Sequence, residues 1–284
     1  MPDARYGCEN MVAKLERVLV RRPEEAACGR WLEYGWRSAP DFAKLLHEHD
    51  GLCALLESAG AEIVFGGPVP LGLDAIYTFD PAIVSPHGAI VLRSGKDLRV
   101  AEAPATAADL EAAGIPVLAT LETPATVDGG DTIWLDDRTL LVGRGYRTNA
   151  AGVAALRAAL PDVDVIELDL PHYHGSHEVM HLLSLLSPVA HNTAVAYLPL
   201  MPVRLVQLLE ARGIRLVEVP DEEFETMGPN VLALEPGVVL ALERNRETRL
   251  RLERAGIEVL TYEGTELSKG DGGPTCLTRP LLRV

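Results

Sequence analysis

Four times along the chain a helix-like run ends at a glycine and a strand-like run begins at once: AGAEIV (59–64), AGIPVL (113–118), RGIRLV (212–217) and AGIEVL (255–260). A glycine just past a helix suits the left-handed backbone that closes the last turn, and the apolar residue after it suits a return onto the core. The helices so delimited span 42–60, 106–114, 203–213 and 247–256, with a further one at 149–160. Strand-like runs are 15–22, 61–66, 75–79, 89–93, 131–135, 139–144, 164–168, 194–199, 214–219, 230–235, 238–243 and 257–263, before the terminal CLTRPLLRV. Some adjoin across tight turns, as at Asp136-Asp137, and read as hairpins. Self-similarity at a period of about fifty residues predicts an α/β ring or propeller of five helix-bearing units. A doubly wound parallel sheet would have no need of the hairpins. No low-complexity linker or charge block interrupts the pattern, so residues 1–284 read as a single domain.

The formal net charge of −15 argues against nucleic-acid binding, which needs a basic face to release counterions. No apolar run reaches the ~18 residues of a membrane span. The first residues carry charges throughout, with no signal-peptide stretch, so a cytoplasmic location is expected. The cysteines at 8, 28, 53 and 276 form no CxxC pair, so neither a zinc knuckle nor a disulfide framework is suggested. Cys8, Cys28 and Cys53 read as small apolar residues, Cys53 within a helix.

Three segments hold chemistry-bearing residues. In GDGGPTCLTRP (270–280), Cys276 sits in a glycine-rich entrance to the last strand. Such glycines allow a ligand close to main chain, so Cys276 is either a nucleophile or a buried turn residue. In TVDGGDTIWL (126–135), Asp128 is either turn chemistry or a carboxylate facing a cleft. In HYHGSHEVMH (172–181), His177-Glu178-Val179-Met180-His181 is a literal HExxH, which on a helix can hold zinc with the glutamate as general base. Pro171 and Gly175 crowd its start, Pro188 follows closely, and the apolar run after it has no polar face. A third zinc ligand would have to come from farther on, with Glu210 the available residue.

Taken in order, LDAIYTFDPAIVSPHGAIVLRSGKDLR (73–99), DGGD, VGRGYRTNAAGV (142–153), His-Leu-Leu-Ser (181–184) and TCL (275–277) resemble the guanidino-group-modifying enzymes. The likeness is greatest to the dimethylarginine dimethylaminohydrolase branch, with arginine deiminases and amidinotransferases as relatives. It implies a five-bladed, pseudo-symmetric α/β propeller, the pentein fold. It also implies Cys276 as nucleophile, His181 as general acid and base, and Asp128 as the carboxylate between guanidinium and histidine. Asp80 would grip the guanidinium, Asp74 is a second acidic contact, and Arg99 and Arg147 would hold a substrate carboxylate. The implied reaction is thiolate attack on the guanidinium carbon of an arginine-like small molecule, giving a ureido product and an amine. It calls for no metal or organic cofactor. Self-association is left open.

The sequence departs from the family pattern in three places. Phe79-Asp80 stands where the hydrolase branch usually has Glu-Asp, and Leu183 where deiminases usually carry an aspartate two after the histidine. Pro274-Thr275 replaces a purely glycine-rich approach to Cys276. On this pattern the Pro-Thr-Cys-Leu ending is expected to reshape the pocket, and Phe79 to accommodate an N-substituted or less charged group.

Overall fold

The computed structural model describes residues 5–176 and 180–284. Its strands form five three-stranded sheets. Four share one chain order: an inner strand, a hairpin, a middle strand, a helix and an outer strand. The second blade is Ala82–Ser85, Gly88–Val91, helix Glu102–Ala112 and Val117–Thr120. The third is Thr132–Asp136, Thr139–Arg144, Ala150–Ala159 and Asp164–Asp169. The fourth is Leu186–Ala190, Thr193–Ala196, Val203–Ala211 and Arg215–Glu218; the fifth is Leu232–Glu235, Val238–Leu242, Arg246–Arg254 and Glu258–Tyr262. In each, the hairpin pair is antiparallel and the helix-crossed pair parallel, as a crossover connection requires.

The first blade takes its inner strand from the far end of the chain. Arg279–Arg283 pairs antiparallel with Leu15–Val20, which pairs parallel with Glu62–Phe65 across helix Phe42–Ser58. The fold is thus the five-bladed α/β propeller expected. Burial falls radially: the middle strands are almost wholly buried, while outer strands such as Val117–Thr120 keep exposed positions. No helix among the described residues is long and apolar enough to cross a membrane.

The recurrent junctions do what their spacing predicts. Gly60, Gly114, Gly213 and Gly256 all have φ between 67° and 91°. In each case the next residue's N–H returns to a carbonyl five back: Ala61 to Leu56, Ile115 to Leu110, Ile214 to Leu209 and Ile257 to Leu252, at 2.9–3.0 Å. Both members of every pair are buried apolar residues or lie at the edge of the core, the contact that accompanies this cap.

Two expectations fail. The run 75–79 is not a strand: Leu73–Ile76 forms a 3-10 turn, and the chain then crosses to the second blade. An apolar run of that length cannot be told from a buried crossing by pattern alone. Strands Ala82–Ser85 and Leu186–Ala190 were not anticipated; the second contains Pro188, which a sheet-edge position tolerates.

Candidate active site

A cavity of about 1210 Å³ opens at one end of the ring, lined by Asp74, Asp80, Lys96, Arg99, Arg147, His181 and Cys276 among others. Asp80, His181 and Cys276 in its wall, and Asp128 and Asn230 bonded behind them, share one origin. Each of the five crossings between blades delivers a polar side chain just before the next inner strand. Asp80 precedes Ala82–Ser85, Asp128 precedes Thr132–Asp136, His181 precedes Leu186–Ala190, Asn230 precedes Leu232–Glu235 and Cys276 precedes Arg279–Arg283. Four of these were expected from sequence. Asn230 was not, although its place in the repeat is the signal that would have found it.

Asp128 is fully buried. Its Oδ1 accepts from the Gly95 N–H at 3.1 Å, and its Oδ2 accepts from Arg147 Nη1 at 2.9 Å and lies 3.2 Å from His181 Nε2. Burial opposes its charge, but the His181 hydrogen bond and the Arg147 charge outweigh that and hold the carboxyl well below the usual range. Across the ring, His181 Nδ1 is 4.0 Å from Asp80 Oδ1. Burial would lower His181, yet Asp80, Asp131 and Asp128 together raise it, favouring imidazolium. Asp131 fixes the chain beside it by accepting from the Leu182 N–H at 3.1 Å and the Thr148 hydroxyl at 2.6 Å. Burial pushes Asp131 up to about 7.

The DGGD glycines are steric requirements. A Cβ on Gly130 would run into the His181 ring, and one on Gly129 into the Phe79 carbonyl. The Gly130 N–H donates to Asp80 Oδ1 at 2.8 Å, so the bare backbone ties the carboxylate in place. The glycines near Cys276 serve similarly: side chains on Gly270, Gly272 and Gly273 would meet Trp36, Tyr77 and Asn230. They were expected to admit a ligand to main chain; in the structure they admit neighbouring side chains.

Asn230 Nδ2 donates to Cys276 Sγ at 3.1 Å, and its Oδ1 accepts from the Thr275 N–H at 3.1 Å. A backbone donor on one side fixes the amide's orientation, so the nitrogen faces sulfur. Burial and then the Asp80 charge push the Cys276 thiol up to about 11, against which Asn230 and the Gly273 backbone pull down. Cys276 is the cysteine that lines the cavity. Cys8 and Cys53 are buried, with thiols pushed up to about 12 by burial, in keeping with their apolar reading.

A second tier comes from the loops between middle strand and helix. Trp36 Nε1 donates to Asp74 Oδ1 at 2.8 Å, and Lys96 Nζ donates to Asp74 Oδ2 at 2.6 Å. Arg99 is buried and bonded to Asp80, to both oxygens of Glu102 at 2.9 and 2.7 Å, and to the Tyr77 carbonyl at 3.0 Å. With its donors so committed, Arg99 anchors Asp80 rather than reaching for a substrate carboxylate as expected. Arg147 gives one Nη1 donor to Asp128 and faces the cavity. The segment 24–41 packs Trp36 inward and adds Tyr34 and Gly35 to the wall.

Phe79 and Leu183 do not line this cavity. Both lie in one apolar cluster with Ile133, Leu141, Leu182 and Leu186, and Phe79 carries the Arg279 guanidinium 3.6 Å from its ring centre. The expectation that Phe79 accommodates a substituted or less charged group in the pocket is therefore corrected. The two departures from the family pattern sit together in the core beneath the site.

His177 and Glu178 of the HExxH motif lie outside the described residues. Its second histidine, His181, has extended backbone (φ −94°, ψ 162°), not the helical one that would align the motif. Among the described residues, Asp80, Asp128 and His181 bring possible ligand atoms within 4.8 Å of one another. Arg99 and Arg147 already pair with the two carboxylates, so a divalent cation there would face two guanidinium groups.

Comparison with known proteins agrees with this geometry. Residues 201–283 match the arginine deiminase family model. An arginine deiminase of Mycobacterium avium (strain 104) is 35% identical over 188 residues, 56% of this chain and 47% of that relative. The chain thus spans about half the length of the arginine deiminases it matches. The uncharacterized protein YkgA of Bacillus subtilis (strain 168) is 28% identical over 282 residues, 97% of this chain and 95% of YkgA. The structure of DDAH from Pseudomonas aeruginosa, in complex with citrulline, superposes with a TM-score of 0.79 at 23% identity, over 95% of this chain and all of that one. The chain thus has the fold of the guanidino-group-modifying, or pentein, enzymes, and its last third carries the sequence pattern of the arginine deiminase family.

Proposed function

We propose that this protein hydrolyses the guanidinium carbon of a small arginine-like guanidino compound, releasing an amine and leaving a ureido product. The observation that carries this is the convergence of Cys276, His181 and Asp80 from three different crossings onto one cavity, with Asp128 from a fourth buried behind His181 and bonded to its ring. A guanidinium stays protonated at any physiological pH, and carboxylates bind it in a forked geometry. Asp80, which lines the cavity, supplies the facing carboxylate, and Asp128 behind it adds negative charge through its contacts with His181 and Arg147.

With a cation bound beside it, the Cys276 thiol loses its proton more readily. The thiolate adds to the central carbon, and the His181 imidazolium protonates the departing amine. The resulting neutral imidazole then takes a proton from water, which adds to the same carbon. Collapse releases the ureido product and returns the thiolate. Asp128 holds the imidazole ring by its Nε2 throughout. Methylated or otherwise N-substituted arginines are included as substrates, the cavity of about 1210 Å³ having room for a substituted amine.

The test is a panel of arginine, methylarginines, hydroxyarginine and simpler guanidino acids, assayed for amine and ureido product. Stoichiometric release of both is expected. Amidination of an added amine in place of ureido product would move the assignment to amidino transfer, and absence of any product would remove it.

The thiol gives a second check. In the free protein, the rate of Cys276 alkylation should rise with pH to an inflexion near 11, because burial and Asp80 oppose the thiolate. An unreactive guanidinium should move the inflexion down, and Asn230→Leu should move it up by removing the donor on Sγ. An inflexion near the ordinary ~8.5 of a free cysteine would show that the site does not act on this thiol.

A further inference from the structure

Each inner acid of the cavity comes with a resident cation. Asp80 has Arg99, Asp128 has Arg147, and Asp74 has Lys96. The Asp74–Lys96 pair is the one farthest removed in kind from the chemistry: both partners come from outside the group that touches His181 or Cys276. Lys96 Nζ is held at 2.6 Å by Asp74 Oδ2 and at 2.6 Å by the Tyr34 carbonyl, and lies 5.1 Å from the Tyr34 ring centre. An ammonium has three donors, so one remains. Arg147 lies beside it: among the described residues its guanidinium bonds to Asp128 through Nη1, and Gly95, next to Lys96, packs so closely on the Arg147 backbone that a Cβ there would collide. Burial, opposed by Asp74, pulls Lys96 below its ordinary value, and the nearby Arg147 and Arg99 charges add to the pull.

This corner suits an anion and repels a second cation. A carboxylate between Lys96 and Arg147 would take a donor from each. An ammonium seeking Asp74 would meet the Lys96 ammonium already on that carboxylate, and like charges in a half-buried site repel strongly.

We propose that the site selects guanidino acids whose end remote from the guanidinium carries a carboxylate and no free α-ammonium, with Lys96 as the specificity-determining residue. This rests on the guanidinium binding at Asp80 beside Cys276, as set out above. Substrates of this class are arginine acylated on its α-nitrogen or ω-guanidino alkanoic acids.

The experiment measures binding in the Cys276→Ser background by calorimetry, so that turnover is not required. The probes are arginine, Nα-acetylarginine and 5-guanidinopentanoate. The two lacking an α-ammonium should bind at least about tenfold more tightly than arginine, the scale of one charge contact in a partly desolvated site. Adding Lys96→Gln should shrink that preference to about twofold or less, with Lys96→Arg restoring it; melting curves confirm that the variants are folded. Arginine binding as tightly as the others, a preference that survives Lys96→Gln, or no binding by any probe would each overturn the proposal. Product formation by the wild-type protein is read separately. If the acids bind with the expected order and none is turned over, hydrolysis falls while the specificity stands.

Discussion

Replacing Cys276 with serine is expected to lower turnover by about a thousandfold or more while leaving the fold intact. A serine hydroxyl ionises far less readily than a thiol, and no base in the cavity is placed to compensate. His181 is already biased toward imidazolium by three carboxylates. Loss of a nucleophile in comparable covalent mechanisms costs three to six orders of magnitude. The structural cost is small because serine can accept the same Asn230 hydrogen bond that sulfur accepts. The measurement is kcat on the best substrate of the panel beside the melting temperature. A variant that keeps full activity would mean that Cys276 is a turn residue and that the chemistry lies elsewhere.

Asp128→Asn should be nearly as damaging, and should also destabilise. Asp128 accepts on both oxygens, from the Gly95 N–H on one and from Arg147 and His181 on the other. An amide has one oxygen, so either orientation sets an N–H against a donor. It also leaves Arg147 without its buried partner, a loss of about 3 kcal/mol by analogy with other broken buried pairs. A fall in kcat of about 10³-fold is expected, as when a carboxylate orienting a catalytic histidine is made neutral. The pH profile carries the diagnostic sign. Activity that needs imidazolium is lost as pH rises through the His181 ionisation, which its carboxylate neighbours raise. Removing one of them must shift that basic limb to lower pH. An unmoved limb would show that Asp128 does not act through His181. The same linkage bears on stability. The raised His181 contributes below its unfolded value, and that contribution is lost as pH rises through its folded value. The lowered Asp128 contributes above the unfolded carboxyl value and is lost on acidification.

Much of the architecture was legible because it repeats. Four Gly-capped junctions, each with the same carbonyl return, could be read as one device used again and again. The site was legible where a residue type is chemically unusual for its setting: a thiol in a glycine-rich loop, a histidine before an apolar run, a carboxylate beside Gly-Gly. Asn230 escaped because an asparagine after Gly-Pro looks like turn chemistry, and its hydrogen bond to sulfur spans 46 positions. Lys96 and Glu102 escaped for the same reason, since their meaning lies in Asp74 and Arg99, which only folding brings near. Phe79 misled in the opposite sense. It is adjacent in sequence to Asp80 in the cavity wall, and adjacency says nothing about which way a side chain turns. The Phe79 and Leu183 side chains both turn into one apolar cluster, away from the cavity.

The closure of the first blade has a consequence for how the protein comes into being. Leu15–Val20 is made early, yet its inner partner Arg279–Arg283 follows only after all four other blades. Until then one edge of that sheet waits unpaired, and the loop bearing Cys276 has no ring to face. A chain interrupted before that point would hold its acids, its histidine and most of its core, and still be chemically inert. Cys276 arrives with the strand that locks the circle, so on the proposed mechanism assembly and competence are reached in the same step.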